Sequence, residues 1–97
     1  MSLSFEWDLK KAIANLRKHG VSFKDAVTVF GDTLSITIEE PVPSSDETRF
    51  ITLGRSTGGK FLVVVHAERG DNVRIISARE ATRLERKQHE EGRKKTR

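Results

Sequence analysis

Cationic side chains at the ends of predicted strands are the groups in this sequence best suited to chemistry. Arg55 borders a glycine-rich hairpin, and Arg79 stands where the last predicted strand gives way to a helix. A guanidinium group suits phosphate because its planar fork donates two hydrogen bonds and stays charged at physiological pH. His66, inside an apolar strand, adds a group that can transfer protons. Cleavage of RNA beside a 2′-hydroxyl needs a base, a cation and an acid but no metal, and this set can supply it.

Three of the candidate residues also have a purely structural interpretation. A lone strand histidine such as His66 is more often a buried or edge residue than a catalytic one. His19, next to Gly20 at a predicted helix end, could serve by interacting with the helix dipole when charged. Trp7 is expected in the core rather than on a surface where bases stack. The residues alone therefore leave the proton-transfer group open between His66 and His19.

The sequence lacks the motifs of several large functional classes. It contains no cysteine, which excludes disulfides, thiol catalysis and thiolate zinc sites. It has no P-loop, GxGxxG or HExxH motif, and its three scattered histidines are poor metal ligands. We therefore predict neither a metal nor a cofactor. The longest apolar run, residues 61–65, is too short to cross a membrane, and residues 1–4 do not resemble a signal peptide, so a cytoplasmic location is expected.

The net charge of +4 is concentrated at one end of the chain. Residues 1–78 contain ten Lys or Arg and ten Asp or Glu, whereas residues 79–97 contain eight basic and four acidic residues. A basic terminal segment favours a polyanionic partner, nucleic acid before membrane. The alternative is a solvated basic helix with a frayed tail.

The predicted elements form one domain over residues 1–92, followed by a basic, disordered tail at 93–97. Asp8 as N-cap and Gly20 as C-cap bound a first helix. Its apolar face is predicted to comprise Leu9, Ala12, Ile13 and Leu16, and its polar face Lys11, Asn15 and Lys18. A capping pattern at Ser22 starts a second helix that reaches Phe30.

Four strands and a third helix complete the prediction. Apolar alternation or apolar runs indicate strands near residues 33–38, 49–55, 61–67 and 73–78, with a polar loop at 40–47. The spacing of Ser77 and Glu80 resembles a capping box and predicts a helix from near Arg79 to about Glu91. The result is an α+β fold: a short N-terminal strand, a helical hairpin on one face of an antiparallel four-stranded meander, and a C-terminal helix. The other face of the sheet stays open for a ligand.

Several segments of the sequence resemble the BrnT family of toxins. They are Phe5-Glu6-Trp7-Asp8, Asn15-Leu16-Arg17-Lys18-His19-Gly20, and the segments 49–56, 63–66 and 74–81. The resemblance covers roughly residues 5–90, in order and with the family's spacing. It implies a RelE-like ribonuclease fold and an endoribonuclease that cleaves RNA engaged with the ribosome and so arrests translation.

The resemblance also implies partners and site residues. The expected partner is a BrnA-type antitoxin, in a dimer or heterotetramer, which contacts operator DNA on behalf of the complex. The family's basic surface would place catalysis at Arg55, His66 and Arg79, and substrate binding at Lys18, His19 and Arg83. Two alternatives remain: a non-catalytic module that acts in antitoxin binding and operon autoregulation, and a general RNA-binding domain that depends on the basic tail.

Overall fold

A mixed β-sheet organises the chain, whose computed structural model describes residues 4–40 and 48–95, with side chains described as far as Glu91. The predicted α+β class is confirmed, with five strands and three α-helices in these residues. The elements are β1 (Ser4–Glu6), α1 (Leu9–His19), α2 (Phe23–Val27) with a 3-10 turn (Thr28–Gly31), β2 (Ile36–Glu40), β3 (Arg49–Arg55), β4 (Phe61–Arg69), β5 (Asn72–Glu80) and α3 (Arg83–Lys95).

The sheet has one strand more than the predicted meander. Its order is β1-β5-β4-β3-β2, in which β2 to β5 pair antiparallel as expected. β1 pairs parallel with β5, placing Phe5 opposite Val73, so the sheet is mixed rather than wholly antiparallel. A three-residue strand whose partner lies about 70 residues away in the chain leaves no local signal of that pairing.

The core lies between one face of the sheet and the layer formed by α1 and α2. Phe23 and Val29 from the helical layer are buried against Leu62 and Val64 of the central strand β4. Trp7 packs edge-on against Phe23, with ring centroids 6.1 Å apart, in keeping with its predicted place in the core. The remaining buried members of this cluster are Val21, Ala26, Val73, Ile75 and Ala78.

The faces of α1 differ from the prediction. Asn15 is only 7% exposed, whereas Leu9, Ile13 and Leu16 are 70%, 47% and 51% exposed. The Asn15 amide donates to the carbonyl oxygens of Val21 and Ala78 at 3.0 and 2.8 Å, and its oxygen accepts from the Ala78 N–H at 3.1 Å. A buried amide with three satisfied hydrogen bonds thus fixes α1 to β5, and most of the apolar stripe faces solvent.

The start of α3 also differs from the prediction. β5 continues to Glu80, which pairs with Leu62, and α3 begins at Arg83. The capping box is formed by Thr82 and Glu85: the Glu85 N–H donates to the Thr82 hydroxyl at 3.2 Å, and the Thr82 N–H donates to the Glu85 carboxylate at 2.8 Å. Ser77 to Glu80, whose spacing predicts a helix cap, are therefore paired with β4 as part of strand β5.

Smaller differences concern element ends. The predicted second helix changes to a 3-10 turn after Val27, and β2 begins at Ile36 because Asp32 holds residues 33–35 in a turn. α3 runs to Lys95 and so includes most of the predicted tail at 93–97. The last two tail residues, 96–97, and residues 41–47 of the predicted loop lie outside the described residues. Of the helices described, none has the length and apolar character needed to cross a membrane.

Candidate active site

The face of the sheet opposite α1 and α2, called here the open face, brings two of the predicted arginines together. Arg55 pairs with Phe61 across β3 and β4, and Arg79 pairs with Val63 across β5 and β4. Phe61 and Val63 are two residues apart in one strand, so their side chains share a face. Arg55 and Arg79 consequently lie on the same side of the sheet, over which α3 folds back.

Phe61 is the centre of a cation–aromatic cluster on the open face. The guanidinium carbons of Arg55 and Arg86 each lie 5.8 Å from the centroid of its ring. The His89 ring meets it edge-on, with centroids 4.9 Å apart. A cavity of about 140 Å³ adjoins the cluster and is lined by Arg55, Gly59, Lys60, Phe61, Glu80, Ala81 and Arg86. Positive charge at a small cavity is suited to binding phosphate.

Arg79 is held in a two-pronged ion pair. Its two terminal nitrogens donate to the two carboxylate oxygens of Glu85, each at 2.8 Å. The hydrogen bond from Arg79 lowers the pKa of Glu85 to about 2, and the same bond raises the pKa of Arg79. With 41% of its side chain exposed, Arg79 remains reachable, but an anion that binds its fork must displace Glu85.

Asp32 and Gly54 position the backbone at Arg55. The Asp32 carboxylate accepts the Arg55 N–H at 2.9 Å and the Leu34 N–H at 3.0 Å, and these two hydrogen bonds lower its pKa. A Cβ atom on Gly54 would lie 2.9 Å from the side chains of Ser35 and Val29. Glycine at position 54 therefore allows the 3-10 turn to approach β3 immediately before Arg55.

His89 belongs to the open face, although no pattern in the sequence singled it out as a site residue. Its ring is 3% exposed, and its Nε2–H donates to the Leu34 carbonyl oxygen at 2.7 Å. The other ring nitrogen, Nδ1, is buried without a hydrogen-bond partner. The apolar anchors predicted for α3 were Ala81 and Leu84, and Leu84 is 64% exposed. α3 is thus attached largely through Glu85, Arg86 and His89.

His66 lies on the other face of the sheet and does not meet the arginines. It is 1% exposed, and a 2.7 Å hydrogen bond joins its Nε2 to the Thr52 hydroxyl. Phe30 of the 3-10 turn packs edge-on against it at 4.8 Å, and Phe50 stacks on it at 5.8 Å. Burial lowers the pKa of His66 to about 4. These contacts fit the structural interpretation of this residue, and they separate it from Arg55 and Arg79.

The three predicted substrate-binding residues fall in two places. Arg83 lines a cavity of about 340 Å³ with Ala81, Arg86, Lys87 and Glu90, and so extends the basic part of the open face. Lys18 is exposed and His19 half-buried in the last turn of α1. Their link to the site is indirect, through Lys60, whose ammonium donates to the Gly20 carbonyl oxygen at 3.3 Å. In the described chain, no group of three or more His, Asp or Glu could hold a metal ion.

Comparison with known proteins identifies the family. A family model described as the ribonuclease toxin BrnT of type II toxin–antitoxin systems matches residues 7–85. The chain therefore belongs to the BrnT family of ribonuclease toxins, as its sequence segments suggested, and a type II system implies an antitoxin as partner.

A solved structure supports the fold. The chain is similar to the Brucella abortus ribonuclease toxin BrnT, whose crystal structure was determined at 1.1 Å, with a TM-score of 0.62. The match covers 84% of this chain and 100% of that one, at 22% sequence identity. At this identity the likeness shows a shared fold. The comparison with curated proteins gives no match.

Proposed function

We propose that this chain is a metal-independent endoribonuclease of the cytoplasm, RelE-like in fold, that cleaves RNA and arrests translation until a BrnA-type antitoxin neutralises it. The observation that carries the proposal is the grouping of three arginines on the open face: Arg55 and Arg86 lie over the ring of Phe61, and Arg79 lies on the same face opposite Val63. Family membership supplies the ribonuclease class. Operator DNA would be contacted only through the antitoxin.

The arginines would take the role that a metal ion has in other nucleases. Arg55 and Arg79 hold the scissile phosphate and stabilise the negative charge that develops on it as the 2′-hydroxyl attacks. Because a guanidinium group stays charged and donates two hydrogen bonds, it can do this without a metal. The phosphate competes with the Glu85 carboxylate for Arg79, so substrate binding opens the ion pair seen in the structure.

Proton transfer is the part of the mechanism for which the two buried histidines compete. His66 was the sequence-based choice, but it lies under the helical layer beside Thr52. His89 lies on the face of the arginines, and its bond to the Leu34 carbonyl leaves Nδ1 as the nitrogen that can accept a proton. We therefore assign proton transfer to His89. Since Nδ1 is buried, α3 must shift for it to reach the substrate.

Arg83, Lys18 and His19 would bind the RNA strand away from the cleaved bond. Arg83 lies beside Arg86 and Lys87, so phosphates flanking the site can follow α3. Phosphate contacts of this kind make binding strongly salt-dependent. Single-stranded or ribosome-held RNA is the better target, because side chains cannot read the deep groove of duplex RNA.

Cleavage of single-stranded RNA by the purified chain in excess EDTA tests the proposal. The Arg55→Ala/Arg79→Ala double variant should cleave at least about 100-fold more slowly, since each change removes a donor from the developing charge. Arg69→Ala, which removes an exposed arginine at the far end of β4, is the matched control and should cleave at the wild-type rate. Equal cleavage by the double variant, or loss of wild-type activity in EDTA, would contradict the proposal.

The histidine assignment is tested in the same assay. His89→Gln should lose most of the cleavage rate while still folding. His66→Gln should keep the rate of the fraction that is folded and lose thermal stability instead. The reverse pattern would return the catalytic role to His66.

One observation favours a second function, that of a non-catalytic partner-binding module. Glu85 occupies the fork of Arg79, and His89 is buried, so neither the Arg79 fork nor the His89 ring is free to act on a substrate in this arrangement. This function predicts a tight antitoxin complex with no RNA cleavage by the wild-type chain and no growth arrest when it is expressed.

A further inference from the structure

Helix α1 presents an apolar stripe to solvent. Leu9, Ile13 and Leu16 are 70%, 47% and 51% exposed, although their spacing of four and three residues places them on one side of the helix. Such a stripe normally faces the core. Here the inward side of α1 is taken by Ala12 and Asn15, whose amide is bonded to Val21 and Ala78. A rotation of α1 that buried the stripe would break the three hydrogen bonds of the Asn15 amide, so the stripe is held facing solvent.

The charged residues within α1 are all basic, and the nearest acidic residue, Asp8, is its N-cap and accepts the Lys11 N–H. α1 contains Lys10, Lys11, Arg17 and Lys18 and no acidic residue. Lys10 and Arg17 are seven residues apart and therefore lie on the same side of the helix. Each is the next residue after a leucine of the stripe, Leu9 or Leu16, so the two cations border the stripe along one edge. The surface therefore combines three aliphatic side chains with a bordering row of cations.

This combination distinguishes between the possible occupants. A second copy of α1 would bring like charges together beside the apolar contact, which opposes self-pairing. RNA would use the cations but would gain little from aliphatic side chains, since bases stack on aromatic rings and guanidinium planes. A helix with an apolar stripe bordered by Asp or Glu satisfies both parts of the surface.

We propose that the outward stripe of α1 is the docking surface for an acidic amphipathic helix of the antitoxin. The proposal depends on membership of a type II family, which implies the antitoxin, and not on the ribonuclease activity. α1 covers the face of the sheet opposite the arginines, so this surface is separate from the open face. Asn15 ties α1 to Ala78, the residue before Arg79, so a partner bound here holds the element next to the site.

The test is the affinity of the purified chain for the antitoxin encoded beside it, measured by isothermal titration calorimetry. Leu9→Gln/Ile13→Gln should weaken the complex at least tenfold. Glutamine is a good helix former, and these side chains are about half or more exposed, so the variant should melt close to the wild-type temperature. Leu84→Gln changes a leucine of similar exposure on α3 and is the matched control, expected to stay within about twofold of wild type.

A second variant tests the charge. Lys10→Glu/Arg17→Glu should weaken the complex several-fold at low salt and reduce the salt dependence of its affinity, because the paired charges are exposed and screened. Its RNA cleavage should stay near the wild-type rate, since neither residue belongs to the proposed active site.

Four outcomes would overturn the proposal. The first is unchanged antitoxin affinity in both α1 variants, and the second is equal weakening by Leu84→Gln. The third is a wild-type dimer in sedimentation that Leu9→Gln/Ile13→Gln makes monomeric without affecting antitoxin affinity, which would assign the stripe to a second copy. The fourth is a loss of RNA binding in the α1 variants while their affinity for the antitoxin stays unchanged. Failure of the ribonuclease proposal would leave these affinities measurable, so the two failures are distinguishable.

Discussion

At the scale of single residues, the two buried histidines lie on opposite faces of the sheet. β4 is nearly all apolar, so its sequence does not alternate and gives no sign of which face His66 takes. A register shift between Val65 and His66 adds a further change that no local pattern predicts. His89 is the converse case, a histidine in a polar helix whose burial against Phe61 and Leu34 depends on contacts distant in sequence.

The burial of His66 makes stability depend on pH in a defined window. Its pKa is lowered from 6.5 to about 4 in the folded chain, so the unfolded chain takes up the proton first. The contribution of His66 to the free energy of unfolding should therefore be fully present well above pH 6.5 and be lost as the pH falls towards 4. The free energy of unfolding should fall by about 2 kcal/mol between pH 7.5 and 5. Urea unfolding at the two pH values measures this difference.

A variant isolates the contribution of His66. His66→Gln should be less stable than wild type at pH 7.5 but lose much less stability on going to pH 5. Glu85, whose pKa is lowered to about 2, adds its own loss only as the pH falls through 4.5, below this window. The same slope in the variant and the wild type would show that His66 is not the titrating group.

At the scale of elements, α3 is held to the sheet by polar contacts that also involve the site. Its first turn depends on Glu85, which caps Thr82 and pairs with Arg79. Further along, Arg86 lies over Phe61, and His89 bonds to Leu34. The helix that covers the arginines is therefore attached in part through the Arg79–Glu85 ion pair, and an RNA phosphate can compete with Glu85 for Arg79.

Glu85→Gln should change binding and stability in opposite directions. Removing the carboxylate frees the fork of Arg79, so the affinity for single-stranded RNA should rise several-fold, as measured by fluorescence anisotropy. The weakened cap should lower the free energy of unfolding by about 1 kcal/mol. Glu91→Gln, the same change at an exposed position of α3, is the control for net charge. An equal rise in affinity in both variants would mean that Glu85 does not restrain Arg79.

The elements show how far the sequence could predict this fold. Caps were informative where they were local: Asp8 and Gly20 bound α1 as expected, with Gly20 at φ 70°. The predicted orientation of α1 was wrong. Periodicity shows that the apolar residues form a stripe but not what the stripe packs against, and here the buried Asn15 occupies the inward side. The predicted start of α3 was wrong, because pairing with β4 extends β5 through the Ser77–Glu80 pattern, whose spacing resembles a capping box.

At the scale of the molecule, an asymmetry along the chain becomes an asymmetry in space. The excess of basic residues lies after residue 78, and α3 folds this segment back so that Arg83, Arg86 and Lys87 join the face that carries Arg55. The resemblance implied a basic surface on which Arg55, His66 and Arg79 meet; the structure puts the two arginines on the open face and His66 on the other. The sequence could not place Lys18 and His19, which the fold puts at the end of the helical layer. One face of the sheet thus builds the core, and the part of the other face beneath α3 collects the arginines beside an aliphatic patch.

Growth after inducible expression tests the central claim most directly. The wild-type chain should arrest bacterial growth, and co-expression of the antitoxin encoded beside it should relieve the arrest. The Arg55→Ala/Arg79→Ala variant, expressed to the same soluble level, should not arrest growth, whereas Arg69→Ala should. Unaffected growth with soluble wild-type protein, or arrest that persists in the double variant, would contradict a ribonuclease toxin that acts through the arginines of the open face.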